Sequence, residues 1–305
     1  MNDMRGKRIL IIKTGAAGDV LRTTPLLHPF RESSIDWFVA SENEDLINKS
    51  QVNKVLTSPS QLSNSIEYDF VISLEDDTDL IRELLPKVKY KKVFGAFLDS
   101  DDSINYTGDS APWFDLGLLS RYGLKAADKH KLENRRSYQE IIFDGLGIPF
   151  RGERYVLPGN LHNSVLRGDI AVAPKAGFRW PNKNWYGYDQ LISLLERKYR
   201  VNVLPLRKSM LEHIADIQNH SLVICNDSLP MHIALGLEKA CVSLFTCTSP
   251  WEIYDYGILT KIVSPLIQDF FYARELNRKV IESISVDTVY KHACDKLDTI
   301  FSSKL

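Results

Sequence analysis

No stretch of this 305-residue chain approaches the roughly 18 consecutive apolar residues that cross a bilayer as a helix. The opening MNDMRGKRILIIKTG has only a short apolar run before a lysine and glycines, so no export signal is expected. Cysteine is scarce. Cys225, Cys241, Cys247 and Cys294 form no CxxC pair and have no histidine at zinc spacing, which argues against a disulfide framework or a structural zinc site. Reduced, core-packed thiols in a cytoplasmic protein are the expectation. Charge of one sign is lacking too: 38 basic against 39 acidic residues leave no general footprint for nucleic acid. Neither common phosphate loop is present. KTGAAGDV has only Gly15 and Gly18, short of a dinucleotide fingerprint, and no GK[ST] follows.

What is present is alternation. Three hundred residues exceed the usual size of one hydrophobic core, so two domains are expected. Short apolar runs at 8–13, 35–40, 52–56, 68–74 and 91–97 read as strands, with helices near 20, over 79–88 and over 136–146. A turn-rich stretch from Pro149 to Gly168, including Pro158-Gly159-Asn160, reads as a linker. Strands at 169–173, 201–206, 222–226 and 240–245 then alternate with helices at 188–198, 210–218 and 231–237. Residues 286–301 carry apolar positions at helical spacing after Ser285, a suitable N-cap. The pattern predicts an α/β chain of parallel βαβ units, doubly wound. Segment 98–115, rich in Asp, Ser and Gly, reads as a long surface loop.

Three segments could carry chemistry. In the first, Asp19 stands where the KTGAAGDV loop enters a helix; it reads either as a cap held by free N–H groups or as a catalytic base. The second is Asn226-Asp227-Ser228-Leu229-Pro230-Met231-His232, a strand end turning into a helix whose N–H groups could meet phosphate, with His232 on its first turn. In the third, Pro174–Trp185, the cations Lys175, Arg179 and Lys183 follow a strand's carboxyl end, which suits a diphosphate. A further run, KVKYKK at 87–92, reads as a solvated face or as a site for an acidic partner.

In this order, the three segments resemble glycosyltransferase family 9, the ADP-heptose:lipopolysaccharide heptosyltransferases. The family's G-x-x-G-D-[VL]-x-x-[TS]-x-P is similar to Gly15-Ala-Ala-Gly18-Asp19-Val20-Leu-Arg-Thr-Thr24-Pro25. Its K-x-W matches Lys183-Asn-Trp185, and NDSLPMHIALGLEKACVSLFTCTSP looks like its NDTGPMH segment. The chain departs from the pattern where Leu229 replaces a glycine, so either the turn differs there or the phosphates sit slightly elsewhere. It departs again where Val203–Arg207 replaces a glycine-rich turn.

The resemblance implies a GT-B fold: two Rossmann-like doubly wound parallel-sheet domains facing across a cleft, with a closing C-terminal helix. The expected boundaries are 1–155 for the acceptor domain, 165–285 for the donor domain and 286–305 for the helix. It also implies an inverting, metal-independent glycosyltransferase with no cofactor beyond its nucleotide-sugar substrate, an ADP-sugar, most simply ADP-heptose. By position, Asp19 would be the general base, with Gly15, Gly18 and Thr24 forming the acceptor loop. Lys183, Asp227, Ser228 and His232 would surround the donor, with Lys175 and Arg179 nearby. The acceptor would be a glycan or glycolipid hydroxyl, met in a peripheral encounter with the inner membrane. Two alternatives remain: transfer to a nucleic-acid base or natural-product scaffold, and an inactive nucleotide-sugar-binding protein.

Overall fold

The computed structural model describes residues 4–159, 162–177 and 179–302. Asn160 of the expected linker turn, Phe178 of the lysine loop and residues 303–305 of the closing segment lie outside them. The chain divides into two compact units, Met1–Gly159 and Asn160–Leu305.

Unit 1 is built on a six-stranded sheet: β1 (Arg8–Ile12), β2 (Ser34–Phe38), β3 (Lys54–Leu56), β4 (Phe70–Ser73), β5 (Val93–Leu98) and β6 (Ile104–Tyr106). Their order is β3-β2-β1-β4-β5-β6, parallel except for β6 on β5. Ile9, Leu10, Ile11 and Ile12 are all buried because a parallel sheet is covered on both faces, which is why β1 reads as an unbroken apolar run. The covering helices include α1 (Ala17–Thr23), α2 (Thr78–Leu84) and α3 (Tyr138–Gly145).

Segment 98–115 is not the unstructured loop expected. It contains β6 and a short helix, Ala111–Phe114, and the helix Leu124–Glu133 follows. Tyr106 stacks on buried Phe114 at 5.1 Å, so a few aromatics order a stretch whose polar residues 99–103 face out. Gly95 is required where it stands. At φ +100° a Cβ would lie 1.9 Å from the Ser73 carbonyl oxygen on the adjoining strand.

Unit 2 has five parallel strands: β7 (Ile170–Ala173), β8 (Val201–Val203), β9 (Leu222–Asn226), β10 (Ala240–Phe245) and β11 (Leu259–Val263), in the order β8-β7-β9-β10-β11. Edge strand β11 is absent from the sequence reading because Thr260 and Lys261 interrupt its apolar pattern. Its helices include α4 (Tyr188–Leu195), α5 (Met210–Gln218), α6 (Leu229–Gly236) and α7 (Val286–Ser302). The Ser285 hydroxyl accepts the Thr288 N–H at 3.2 Å, as an N-cap should. Val286, Val289, Ala293 and Leu297 of α7 are buried at three- and four-residue spacing, in one cluster with Leu191 of α4, Ile224 and Val242. The closing helix thus belongs to the core of unit 2. All four cysteines are free thiols, with Cys225 and Cys241 in sulfur contact at 3.9 Å.

Candidate functional site

In each sheet the chain reverses its direction of winding beside the first strand, between β1 and β4 in unit 1 and between β7 and β9 in unit 2. Crevices outside the carboxyl ends of such strands are where open α/β sheets bind ligands. The segments singled out by sequence lie at these two places.

In unit 2, β7 leads into the lysine loop and β9 into Asp227. Lys183 donates to the Asp227 carbonyl at 2.7 Å and to its carboxylate Oδ2 at 2.8 Å. The Thr248 hydroxyl donates to the same Oδ2 at 2.6 Å. Burial alone would raise the Asp227 carboxyl; the Lys183 charge and hydrogen bond, the Thr248 hydroxyl and the His232 charge together hold it below the usual carboxylate range. An ammonium has three donors and only two of these go to Asp227, so the third can meet a ligand. Ser228 stands at the N-cap of α6 with its hydroxyl turned to the Asn226 carbonyl at 3.2 Å rather than onto the helix. His232, buried, sits one turn in. Leu229 does not take the positive φ a glycine would allow: it starts α6 directly, followed by Pro230, which suits a first turn.

Asparagines shape the lysine loop. Asn226 donates to the Pro174 carbonyl at 3.1 Å and accepts from Tyr188 at 2.9 Å. Asn184 accepts the Ala176 N–H at 3.0 Å. Asn182, fully buried, donates to the carbonyls of Ala273 and Glu275 and accepts the Asn277 N–H at 2.8 Å. Its own carbonyl accepts from Thr246 at 2.6 Å. Sequence reasoning passed over Asn182, Asn184, Thr246 and Thr248; their only signal was the density of short polar residues at two strand ends. Lys175 and Arg179 are exposed. Arg207, in the turn replacing the glycine-rich one, is committed elsewhere. It pairs at 2.7 Å with fully buried Asp216, which also accepts from Ser164.

In unit 1, the Lys13–Ala16 turn joins β1 to α1, with a cis Gly15–Ala16 peptide. Asp19 is not the N-cap. Ala16 holds that place without a side-chain hydrogen bond, and Asp19 lies within the first turn. Arg22 holds its Oδ1 at 2.9 Å and is itself set over the rings of Trp113 and Tyr138, at 5.0 and 4.5 Å. Asp19 remains 35% exposed while Arg22 is 11% exposed, so the carboxylate is held but reachable. Glu75 and Asp76 follow β4 beside it. Burial raises the Asp76 carboxyl above its usual range; Lys13 opposes this, and the Glu75 and Asp19 charges add to it.

Neither Gly15 nor Gly18 uses a left-handed conformation, and Gly18 lies inside α1. Thr24 does not line an acceptor surface. It is fully buried, donating to the Leu21 carbonyl and accepting the Val156 N–H at 2.9 Å. In the lysine run, Lys91 pairs with Asp69, Lys87 with Glu83, and Lys92 lies over the Phe70 ring, which leaves little of a basic groove. Among the described residues no group of three or more His, Cys, Asp or Glu is placed to hold a metal ion, and no helix is long and apolar enough to cross a membrane.

Residues 188–269 match the model of glycosyltransferase family 9 (heptosyltransferase), a span containing Asp227, Ser228, His232 and Thr248. No curated protein matches the sequence. Among solved structures, the chain is similar to heptosyltransferase WaaC of E. coli with ADP-2-deoxy-2-fluoro heptose, at 13% identity and TM-score 0.61 over 94% of this chain and 99% of that one. It is similar to E. coli ADP-heptose lps heptosyltransferase II at 16% identity and TM-score 0.61, over 96% and 99% of the two chains. A family 9 glycosyltransferase from Veillonella parvula matches at 14% identity and TM-score 0.59, over 96% and 98%. At these identities the likeness is one of fold: GT-B, with two Rossmann-like domains.

Proposed function

We propose that this chain is a glycosyltransferase of the family 9, heptosyltransferase-like type, and that it moves a heptose-type sugar from ADP-heptose to a glycan or glycolipid hydroxyl, inverting the anomeric centre. The observation that carries this reading is the Lys183–Asp227–Thr248 group at the start of α6. The departing ADP gains negative charge as its bond to the sugar breaks. Donors already in place meet that charge without reorganising: the third Lys183 N–H, the Leu229 N–H that opens α6 and the side chain of His232. In this reading protein donors, rather than a metal, carry the leaving group. Asp227 is acceptor-only and so cannot hold phosphate. It fixes Lys183 and is suited to a ribose hydroxyl.

Asp19 serves as general base. The acceptor oxygen attacks the anomeric carbon, its proton passes to the Asp19 carboxylate, and the carbon–oxygen bond to the diphosphate breaks. Arg22 keeps the carboxylate oriented until then. Replacing Asp19 by Ala should leave ADP-heptose binding intact in a thermal-shift titration and lower transfer by about 10²- to 10⁴-fold. Transfer that survives the change refutes the base assignment.

A further inference from the structure

Glu75 is 4% exposed, and the proposed chemistry makes no use of it. One of its carboxylate oxygens, Oε2, accepts both the Thr14 N–H at 2.9 Å and the Thr14 hydroxyl at 2.5 Å. The other, Oε1, accepts the Asp76 N–H at 3.1 Å and lies 3.8 Å from the Lys13 ammonium. The remaining polar group of Thr14, its carbonyl, accepts from Asn43 at 2.8 Å. Every polar group of Thr14 is therefore tied down.

Beyond Thr14 the turn has little else to locate it. A Cβ on Gly15 would meet nothing within 4 Å, and Ala16 gives α1 no side-chain cap. The start of α1 is thus fixed upstream by what holds Thr14 and downstream by the Asp19–Arg22 pair, the Thr23 hydroxyl on the Asp19 carbonyl and the burial of Val20 and Leu21. We propose that Glu75, acting through Thr14, is a positioning residue for sugar transfer: it sets the Lys13–Ala16 turn and with it the place of Asp19. This rests on the reading of Asp19 as the base.

The hydrogen-bond pattern demands a carboxylate. Both Glu75 oxygens accept, whereas a glutamine has one acceptor and would turn its NH₂ toward either the Thr14 donors or the Asp76 N–H. Glu75→Gln therefore keeps the volume and loses the clamp. Thr14→Val removes the hydroxyl donor at nearly constant shape, and Thr14→Ser restores it.

The test measures release of ADP from ADP-heptose with heptose-free lipopolysaccharide as acceptor, for the parent, these three variants, the Thr14→Val/Glu75→Gln double and Asp19→Ala. Hydrogen exchange of the 13–20 segment is followed alongside. Thr14→Val and Glu75→Gln should each lower kcat about tenfold or more, since small misplacements of a reacting group are costly. The donor KM should stay within about twofold, because uniform binding is untouched. The double should be no slower than its slower parent, as both changes break one link. Thr14→Ser should match the parent, and exchange should quicken in 13–20 only. Parent-like kcat in Thr14→Val and Glu75→Gln, or multiplied losses in the double, overturns the inference. If Asp19→Ala still transfers, the base assignment fails instead; the two failures are distinct.

Discussion

The Lys183–Asp227 pair allows a prediction whose size and sign both follow from geometry. At 2.8 Å, and each 13% exposed, the two charges attract by about 6 kcal/mol at an effective dielectric of about 20. Desolvation consumes much of that, and removing one partner of such a pair typically costs about 3–5 kcal/mol because the other charge stays buried. Partial exposure puts Lys183→Met near the lower end, about 3 kcal/mol. In the parent, Asp227 is held below its ordinary range, so its contribution is complete above the unfolded value near pH 4 and is lost only on further acidification. In Lys183→Met burial dominates and the folded-state value rises above the unfolded one. The penalty then grows as pH rises above the unfolded value and is flat once the pH has passed the raised folded-state value. Thermal unfolding should show a deficit of about 6–12 °C at about pH 8 and a smaller one at about pH 5. Adding Asp227→Asn should restore most of the loss. A deficit equal at both pH values, or none, refutes the argument that Lys183 neutralises a desolvated carboxylate.

Two further outcomes are expected. Gly95→Ala sets a methyl against the Ser73 carbonyl at an unfavourable φ, so unit 1 should lose several kcal/mol, about 3 or more, read as a lowered urea midpoint or as insoluble protein. Arg207→Met leaves the buried Asp216 carboxylate with Ser164 and with His213, whose imidazole burial disfavours charging. Burial would raise the Asp216 carboxyl, and the arginine's hydrogen bonds now hold it low; their loss should cost about 3 kcal/mol at neutral pH and less toward pH 5, with little change in donor affinity.

Much of this was legible in the residues. Buried parallel strands such as Ile9–Ile12 and Leu222–Asn226 announce themselves as apolar runs, and α5, β9 and β10 begin and end where their patterns do. β6 and β11 did not, because edge strands pair on one side only and tolerate polar residues. Of the site, Asp19, Lys183, Asp227, Ser228 and His232 stood out through their motifs. Thr24 stood out equally, yet its hydroxyl serves only as a backbone clip. A motif cannot separate a residue that touches a ligand from one that holds the loop. Glu75, Asn182 and Thr248 went unnoticed because their partners lie 61, about 90 and 21 positions away in the chain.

Asn182 ties the lysine turn to the carbonyls of residues 273 and 275 and to the Asn277 amide, all downstream of the segment that matches the family model. A fragment ending at residue 269 would keep Asp227, Ser228 and His232, yet the hook that seats Lys183 beside them would have nothing to catch. The proposed donor centre therefore depends on a strap from beyond the last strand that passes back over the first loop of its own domain. A protease cut within 273–277 should accordingly silence donor binding before it loosens the sheet.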